Sequence, residues 1–558
     1  MSSVVSHRPF EDGLRRLFRF LAIRPEMTVE RLAFYVAAFF TMFCNTAFFH
    51  AVAATGAFHD ASGWRVALSL VLMIGALNML LLCLLLNRWT VRPVLTVLIP
   101  LTAAAAHFMS RYTVYLDADM LRNILHTDGK ESGELLSLGM LPSLLWLGAL
   151  PTLLVWRVRL KLRPIGRAAL VRVGCIVLSI AVAGGAMMAS FQDLSALMRN
   201  HKEVRHLITP GNYIVSLVRV AQHDGARHQP KTPIGVNAHV VGRSPDAKPR
   251  LLVIVVGETV RAQNWGLNGY ARQTTPQLRD IGPINFTDMT SCGSATEVSV
   301  PCMFSPFGRA HYDEDRISHT QSLLNVLDHA GIGVLWRDNQ TGCKGVCEGL
   351  PFESFEHARD ARSCTAEGCL DEVMLHGLAD EIARRPGDQV VVMHQLGSHG
   401  PSYSRRYPER LRRFTPTCET ADLGDCTREQ IVNAYDNSVL ATDDFLARTI
   451  RFLAEQSSRE TAMIYLSDHG ESLGENGLYL HGVPYAIAPD TQTHVPMVMW
   501  FSPGFAADRN LDIDCMKRES LAPASQDNLF HSVLGLMQVE TPEYDRKLDL
   551  FDRCIAPG

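Results

Sequence analysis

Glu258, Asp468 and His469 are residue types that bind hard and borderline metal ions, and they follow buried-looking runs of strand length. "LLVIVVG" (251–257) precedes Glu258, and "AMIYLS" (462–467) precedes the Asp-His pair. "QVVVMH" (389–394) ends in His394 and leads through "QLGSHG" to His399, while "GIGVLW" (331–336) is followed by Arg337, Asp338 and Asn339, with Lys344 close behind. A single acid or histidine in a loop is ordinarily a satisfied surface group. Several of them, each just past an apolar run, point to a metal site. Zn2+ accepts Asp, Glu and His in a tetrahedral shell, and a catalytic site keeps one position for the reacting group. With Glu258, Asp468 and His469 as three ligands, a hydroxyl can take the fourth place. "SCGSATEVSVPCMFS" (291–305) carries one, Thr296, between Cys292 and Cys302, with Ser294 and Ser299 as rivals that spacing does not exclude. A threonine hydroxyl is a poor nucleophile at neutral pH, and coordination to Zn2+ would stabilise its alkoxide. The "EVSVPCMF" that follows can open a helix whose N-terminal amides face a phosphate.

The elements that must position these groups begin near residue 250. The four runs above and "VPMVMWF" (495–501) alternate with helical patterns such as "HTQSLLNVLDHAG" and "YDNSVLATDDFLARTIRFLAEQ". Alternation of this kind predicts a mainly parallel sheet covered by helices. In such a sheet the ligand site lies beyond the carboxyl ends of the strands, where the acids and histidines fall.

The chain is 558 residues long, which predicts more than one domain, and its first 190 or so residues differ in kind from the rest. A net charge of -4 gives no reason to expect nucleic acid as a partner. Apolar stretches near 32–52, 66–87, 93–109, 138–156 and 169–190 approach or exceed the roughly 20 residues that cross a bilayer; the third, interrupted by Pro100 and His107, is the weakest. The first reads as a retained anchor, because no small-residue cleavage site follows it. Arg8, Arg15, Arg16, Arg19, Arg24 and Arg31 precede it; Arg88 and Arg92 fill the second-to-third connection, and Arg157 to Arg172 with Lys161 fill the fourth-to-fifth. The opposite loops hold only Arg65, Arg111, Arg122 and Lys130. By the positive-inside rule the N-terminus is inside, and five spans deliver residues beyond 190 to the outside. Of 13 cysteines, Cys44, Cys83 and Cys175 fall in the spans. The other ten come as neighbours: Cys292 and Cys302, Cys343 and Cys347, Cys364 and Cys369, Cys418 and Cys426, Cys515 and Cys554. Five local disulfides in an oxidising compartment is the simplest reading, with a zinc-thiolate role for Cys343 and Cys347 as the alternative. The domain expectation is a five-span membrane domain (1–190), amphipathic bridging helices and a linker (191–249, broken at Pro210-Gly211), and an outer catalytic domain (250–558).

"VVGETVRAQNWGLNGYARQTTPQL", "SCGSATEVSVPCMFS", "HQLGSHGPSY", "SDHGESLGENGLYLHG" and "THVPMVMWF" resemble the phosphoethanolamine transferases that modify lipid A, a group that includes the mobile colistin-resistance enzymes and belongs to the alkaline phosphatase/sulfatase superfamily. The resemblance runs nearly end to end. It implies an N-terminal five-helix transmembrane domain and a periplasmic α/β domain in a bacterial inner membrane. It implies Thr296 as nucleophile, with Glu258, Thr296, Asp468 and His469 as ligands of one Zn2+. Lys344, His394, His399 and His481 carry over as substrate-side residues, His394 and His399 doubling as candidates for a second Zn2+. In the outer loop "DADMLRNILHTDGKES", Asn123 and Thr127 lie four apart on one helical face and Glu131 follows just past Gly129, which matches the family's donor head-group set. Ser294 stands where many relatives have Thr, which leaves the nucleophile assignment intact.

The implied reaction moves phosphoethanolamine from phosphatidylethanolamine to a lipid A phosphate by way of Thr296. The added ammonium would weaken binding of cationic peptides such as polymyxin. The expected partners are both lipids and the bilayer, and a monomer is expected. Rival readings are a transferase for a lipopolysaccharide core sugar or another envelope acceptor, a sulfatase or phosphatase of the same superfamily, and a membrane-anchored sensor that keeps a dead site.

Overall fold

The computed structural model describes residues 24–58, 63–126, 137–226, 230–243, 246–360, 362–365 and 368–555. Of the residues named above, Arg8, Arg15, Arg16, Arg19, Thr127, Gly129, Lys130 and Glu131 lie outside them. The chain divides into two compact units, Met1–Ser110 with Gly139–Ile214, and Arg111–Leu138 with Val215–Gly558.

In the first unit, four helices among the described residues are long and apolar enough to cross a membrane: Gly63–Leu85, Val91–Tyr112, Leu138–Arg157 and Ile165–Ala189. Val29–Cys44 and Thr46–Ala54 make a fifth if the pair, bent by 47°, is one span. The bend has an identifiable cause. Buried Asn45 sits between the two helices, and its amide donates to the Phe40 and Thr209 carbonyls (both 2.9 Å) while its oxygen accepts from Thr209 N (2.9 Å). The helix Val91–Tyr112 runs on through Pro100, where the sequence pattern was weakest. The amphipathic stretch resolves into Phe191–Asn200, a 3-10 turn Lys202–Leu207, and Gly211–Ala226, which starts just after Pro210. The expected linker is in part structured: the last of these helices reaches Ala226, and His239–Val240 pairs with Val539–Glu540.

The second unit is built on one eight-stranded sheet. Its strands are β1 (Arg250–Gly257), β2 (Ile284–Thr290), β3 (Gly333–Asp338), β4 (Phe352–Ser354), β5 (Gln389–His394), β6 (Glu460–Ser467), β7 (His494–Phe501) and β8 (Ala524–Ser525), in the order β8-β2-β7-β6-β1-β5-β3-β4. β6, β1, β5, β3 and β4 run parallel, as the alternating pattern predicts. β7 departs from it, pairing antiparallel with both β6 and β2. An apolar run has no direction in its composition; only the connection sets it. β1 is buried along its whole length, as expected of a central strand covered on both faces. Each such Val, Leu or Ile contributes roughly 1.5–3 kcal/mol on burial, so β1 anchors the sheet. Register then matters for chemistry: Ser467 pairs with Gly257 and His394 with both Val256 and Asp338, so the ends of β1, β3, β5 and β6 are level.

Three helices support that edge: α1 (Ala118–His126), α2 (Thr296–Met303) and α3 (Arg428–Ala454). α3 starts at a reciprocal cap in which Thr427 and Gln430 satisfy each other's backbone amides. The pattern "HTQSLLNVLDHAG" contributes a shorter helix, Leu323–His329, capped in the same way by Ser322 and Asn325. All five neighbouring cysteine pairs are disulfides, including Cys343–Cys347, which removes the zinc-thiolate alternative.

On α3, buried Asp443 accepts from the amides of Gln277 (3.0 Å) and Leu278 (2.9 Å), the first turn of the helix Pro276–Ile281. Burial pushes its pKa up to about 7. A carboxyl raised in the folded state contributes stability that is complete below its unfolded pKa of about 3.9 and is lost as pH rises through about 7. Asp443→Asn removes this titration. Thermal melts of the detergent-solubilised chain at pH 5 and pH 8 will show a smaller loss of Tm for the variant than for the parent; equal losses would refute the assignment.

Candidate metal centre

Glu258 leaves β1 and Asp468 leaves β6 on adjacent rungs of the parallel ladder, with Asp468 N donating to Gly257 O (2.9 Å). The turn after Glu258 is strained and heavily braced. Thr259 has φ 54°, a left-handed conformation that β-branched residues avoid. Asp468 Oδ1 accepts its amide (3.1 Å), Tyr435 of α3 donates to its carbonyl (2.7 Å), and Ser467 Oγ accepts from Val260 N (2.9 Å). Gly257 must be glycine, because a Cβ there would meet the Tyr465 ring at 2.5 Å.

Thr296 is the first residue of α2, and the Cys292–Cys302 bridge ties the preceding loop to that helix. Gln526 fastens the loop to β6: its oxygen accepts from Cys292 N (2.6 Å), and its amide donates to the carbonyls of Ser467 (2.8 Å) and Asp468 (2.7 Å). The loop therefore moves with the strand that carries Asp468. The Thr296 hydroxyl lies 3.1 and 3.3 Å from the two Glu258 oxygens and 3.2 Å from His469 Nε2. The rival hydroxyls are placed elsewhere, Ser294 donating to Val483 O and Ser299 buried inside α2.

Glu258, Asp468 and His469 are 0 % exposed, and a ligand atom from each lies within 4.8 Å of the others. His469 Nδ1 lies 2.9 Å from Gly470 O, so Nδ1 carries the proton and Nε2 presents a lone pair. Burial lowers the pKa of this imidazole despite the opposing charge of Asp468, keeping it in the neutral, ligating form. Nε2 thus faces Glu258 Oε1 at 3.4 Å and Asp468 Oδ2 at 3.3 Å, acceptor against acceptor, and Asp468 Oδ2 has no hydrogen-bond donor. Three buried acceptors converging with one hydroxyl proton among them repel unless a cation joins them. A donor set of one imidazole and two carboxylates, with a hydroxyl in the fourth place, fits Zn2+.

The other expected histidines have distinct partners. His481 lies with its ring centre 4.4 Å from that of His469, and His399 follows at 5.4 Å from His481. Burial drives the His399 pKa well below 6.5, assisted by the positive charges of Arg406 and Lys344. His394 instead pairs with Asp338 (2.9 Å) beneath Trp336, and its Nε2 is buried without a partner. Burial opposes the charge on Asp338, but the His394 hydrogen bond and charge outweigh it and hold the carboxyl below the usual range. Lys344 reaches Glu297 at 2.9 Å. Asn123 lies on α1, which packs on α2 and places Met120 where a Cβ on Gly482 would be. Buried Arg122 of α1 pairs with Glu314 and Asp119.

Several contributors carry no signal in the sequence. Gln340 donates to Glu258 Oε2 (3.0 Å), and Glu471 accepts from Tyr403 (2.6 Å) and holds His481 Nδ1 (2.8 Å). Asp371 accepts from the amides of Leu396 (2.8 Å) and Gly397 (3.0 Å), which shapes the loop to His399. Only Glu471, in "SDHGES", lies close enough to a motif to have been noticed.

Comparison with known proteins agrees with this geometry. Residues 250–539 match the sulfatase family, and residues 73–224 match the family described as phosphoethanolamine transferase EptA/EptB. The chain is 38% identical over 530 residues to phosphoethanolamine transferase EptA of Escherichia coli (strain K12), which covers 93% of this chain and 96% of that protein. It is 39% identical over 477 residues to phosphatidylethanolamine transferase Mcr-1 of Escherichia coli, covering 83% and 88%. The solved integral membrane lipooligosaccharide phosphoethanolamine transferase A (EptA) from Neisseria meningitidis superposes with a TM-score of 0.91 at 36% identity, over 96% of this chain and 100% of that one. End-to-end identity at this level, a shared two-part architecture and a cluster of a hydroxyl, acids and a histidine at the expected sheet edge lead to one conclusion: the chain belongs to the phosphoethanolamine transferase family, with a sulfatase-like catalytic fold.

Proposed function

We propose that the protein transfers phosphoethanolamine from phosphatidylethanolamine to a phosphate of lipid A through a phosphoethanolamine–Thr296 intermediate, in the inner membrane with the catalytic unit in the periplasm. The observation that carries this reading is the Thr296 hydroxyl at 3.1–3.3 Å from Glu258 and His469. Glu258, Asp468, His469 and Thr296 would hold one Zn2+, whose chemistry when bound is to offset charge on phosphoryl oxygens and favour the threonine alkoxide.

The chain's own groups supply the remainder. Thr296 Oγ1 forms the bond to phosphorus, and the bond from phosphorus to the diacylglycerol oxygen breaks. The hydroxyl is oriented by Glu258, whose carboxylate accepts its proton. Gln340 holds that carboxylate in place. The leaving oxygen needs a proton, and His481 is the better donor than His399, since His399 is kept neutral by burial and by its positive neighbours. Glu471 commits Nδ1 of His481, so exchange with substrate passes through Nε2. In the second step a lipid A phosphate oxygen attacks the same phosphorus and Thr296 Oγ1 leaves, taking a proton back. Lys344, His394 and the Asn123, Thr127 and Glu131 set orient the two lipids. Both substrates are membrane lipids, so anchoring the catalytic unit raises their effective concentration. The product carries an extra ammonium, which reduces attraction for polymyxin.

Mass spectrometry of lipid A from cells with and without the gene will show a phosphoethanolamine increment, and the increment disappears in Thr296→Ala; persistence in that variant would exclude the covalent route. Metal analysis of the purified full chain will find about one zinc per molecule, lost in Glu258→Ala. Gln340→Ala touches no metal itself, yet it will weaken zinc on the order of 10- to 100-fold in competition with a chromogenic chelator. Unchanged affinity would mean that Gln340 does not set the Glu258 position.

A further inference from the structure

A cavity of about 540 Å3 opens beside α2, walled by Glu297, Lys344, Thr341, Tyr312 and Glu314. It begins one residue from the nucleophile. At its wall the Lys344 ammonium meets the Glu297 carboxylate at 2.9 Å, with the two side chains only 5 % and 1 % exposed. Lys344 is held there firmly: its backbone has φ 51°, in the left-handed region, inside the loop closed by Cys343–Cys347, and its ammonium also donates to Thr341 Oγ1 (2.6 Å). Such a conformation persists only where its surroundings over-determine it.

We propose that Glu297 is the receptor for the ammonium of the transferred head group, and that Lys344 occupies it until substrate arrives. The inference rests on the transferase reading above and names how that site recognises its donor. A buried ion pair restricts what can enter. An anion alone would draw Lys344 away and leave the Glu297 carboxylate desolvated without a cation; a cation alone would strand Lys344. A ligand with phosphate and ammonium two carbons apart replaces both partners at once, phosphate on Lys344 and ammonium on Glu297, so no buried charge is left uncompensated. The other acids of the wall are less suited. Glu314 is engaged by Arg122, and Glu348 is more than half exposed beside Lys231. Glu297 also lies in the first turn of α2, where the helix field favours an anion.

Calorimetric titration of the full chain in detergent tests this without turnover, using O-phosphoethanolamine, its N-acetyl derivative and inorganic phosphate as probes. The parent will bind O-phosphoethanolamine on the order of tenfold or more tighter than the N-acetyl compound, the scale for losing one partner of a buried charge pair. In Glu297→Gln the two affinities become equal, while Glu297→Asp keeps the preference and reports that the pocket still folds. A parent that does not discriminate, or a Glu297→Gln protein that still does, overturns the proposal. The lipid A increment reads the transferase reading separately: if it is present while the binding preference is not, only the role of Glu297 fails.

Discussion

Electrostatic repulsion among buried ligand atoms is the constraint around which the catalytic unit is arranged. Two carboxylates and a neutral imidazole are held within contact of one another with no solvent to separate them. Such a cluster is unfavourable by itself and becomes favourable only around a cation. Holding it requires a frame that does not relax, and the structure supplies one: a fully buried central strand, a braced left-handed turn after Glu258, and Gln526 bridging the nucleophile loop to β6.

The frame is also economical in its topology. Parallel strands in level register end together, so residues far apart in sequence arrive at one edge without long excursions. Loops there would ordinarily be mobile. Local disulfides and side-chain-to-backbone bonds remove that freedom, at Cys292–Cys302 for the loop that carries Thr296 and at Cys343–Cys347 for Lys344. Asp371 does the same for the loop to His399, where burial makes each of its hydrogen bonds costly to break.

The polar groups around the Glu258, Asp468 and His469 cluster differ in charge state by environment. His399 is forced neutral by burial and by positive neighbours, whereas Asp338 is held in its charged form by His394 against the cost of its own burial. At the cavity wall the carboxylate of Glu297 and the ammonium of Lys344 meet as a buried ion pair.

Much of this was legible in the residues. Apolar runs of span length, local cysteine pairing, and acids placed directly after buried strands are local signals, and each is a matter of composition and short spacing. Glu258, Asp468 and His469 could be nominated because strand ends in an open α/β sheet converge by rule, and Thr296 because its cysteine-bracketed segment matches the family resemblance. Tertiary structure alone decided the rest. The direction of β7 depends on a connection, and the placement of the Thr296 hydroxyl, rather than that of Ser294 or Ser299, beside Glu258 and His469 depends on the path of one tight loop. Gln340, Glu471 and Gln526 act through hydrogen bonds to partners 82, 10 and 234 residues away along the chain. A lone polar residue carries no mark of its partner, because a hydrogen bond is defined by position in space and not by neighbours along the chain.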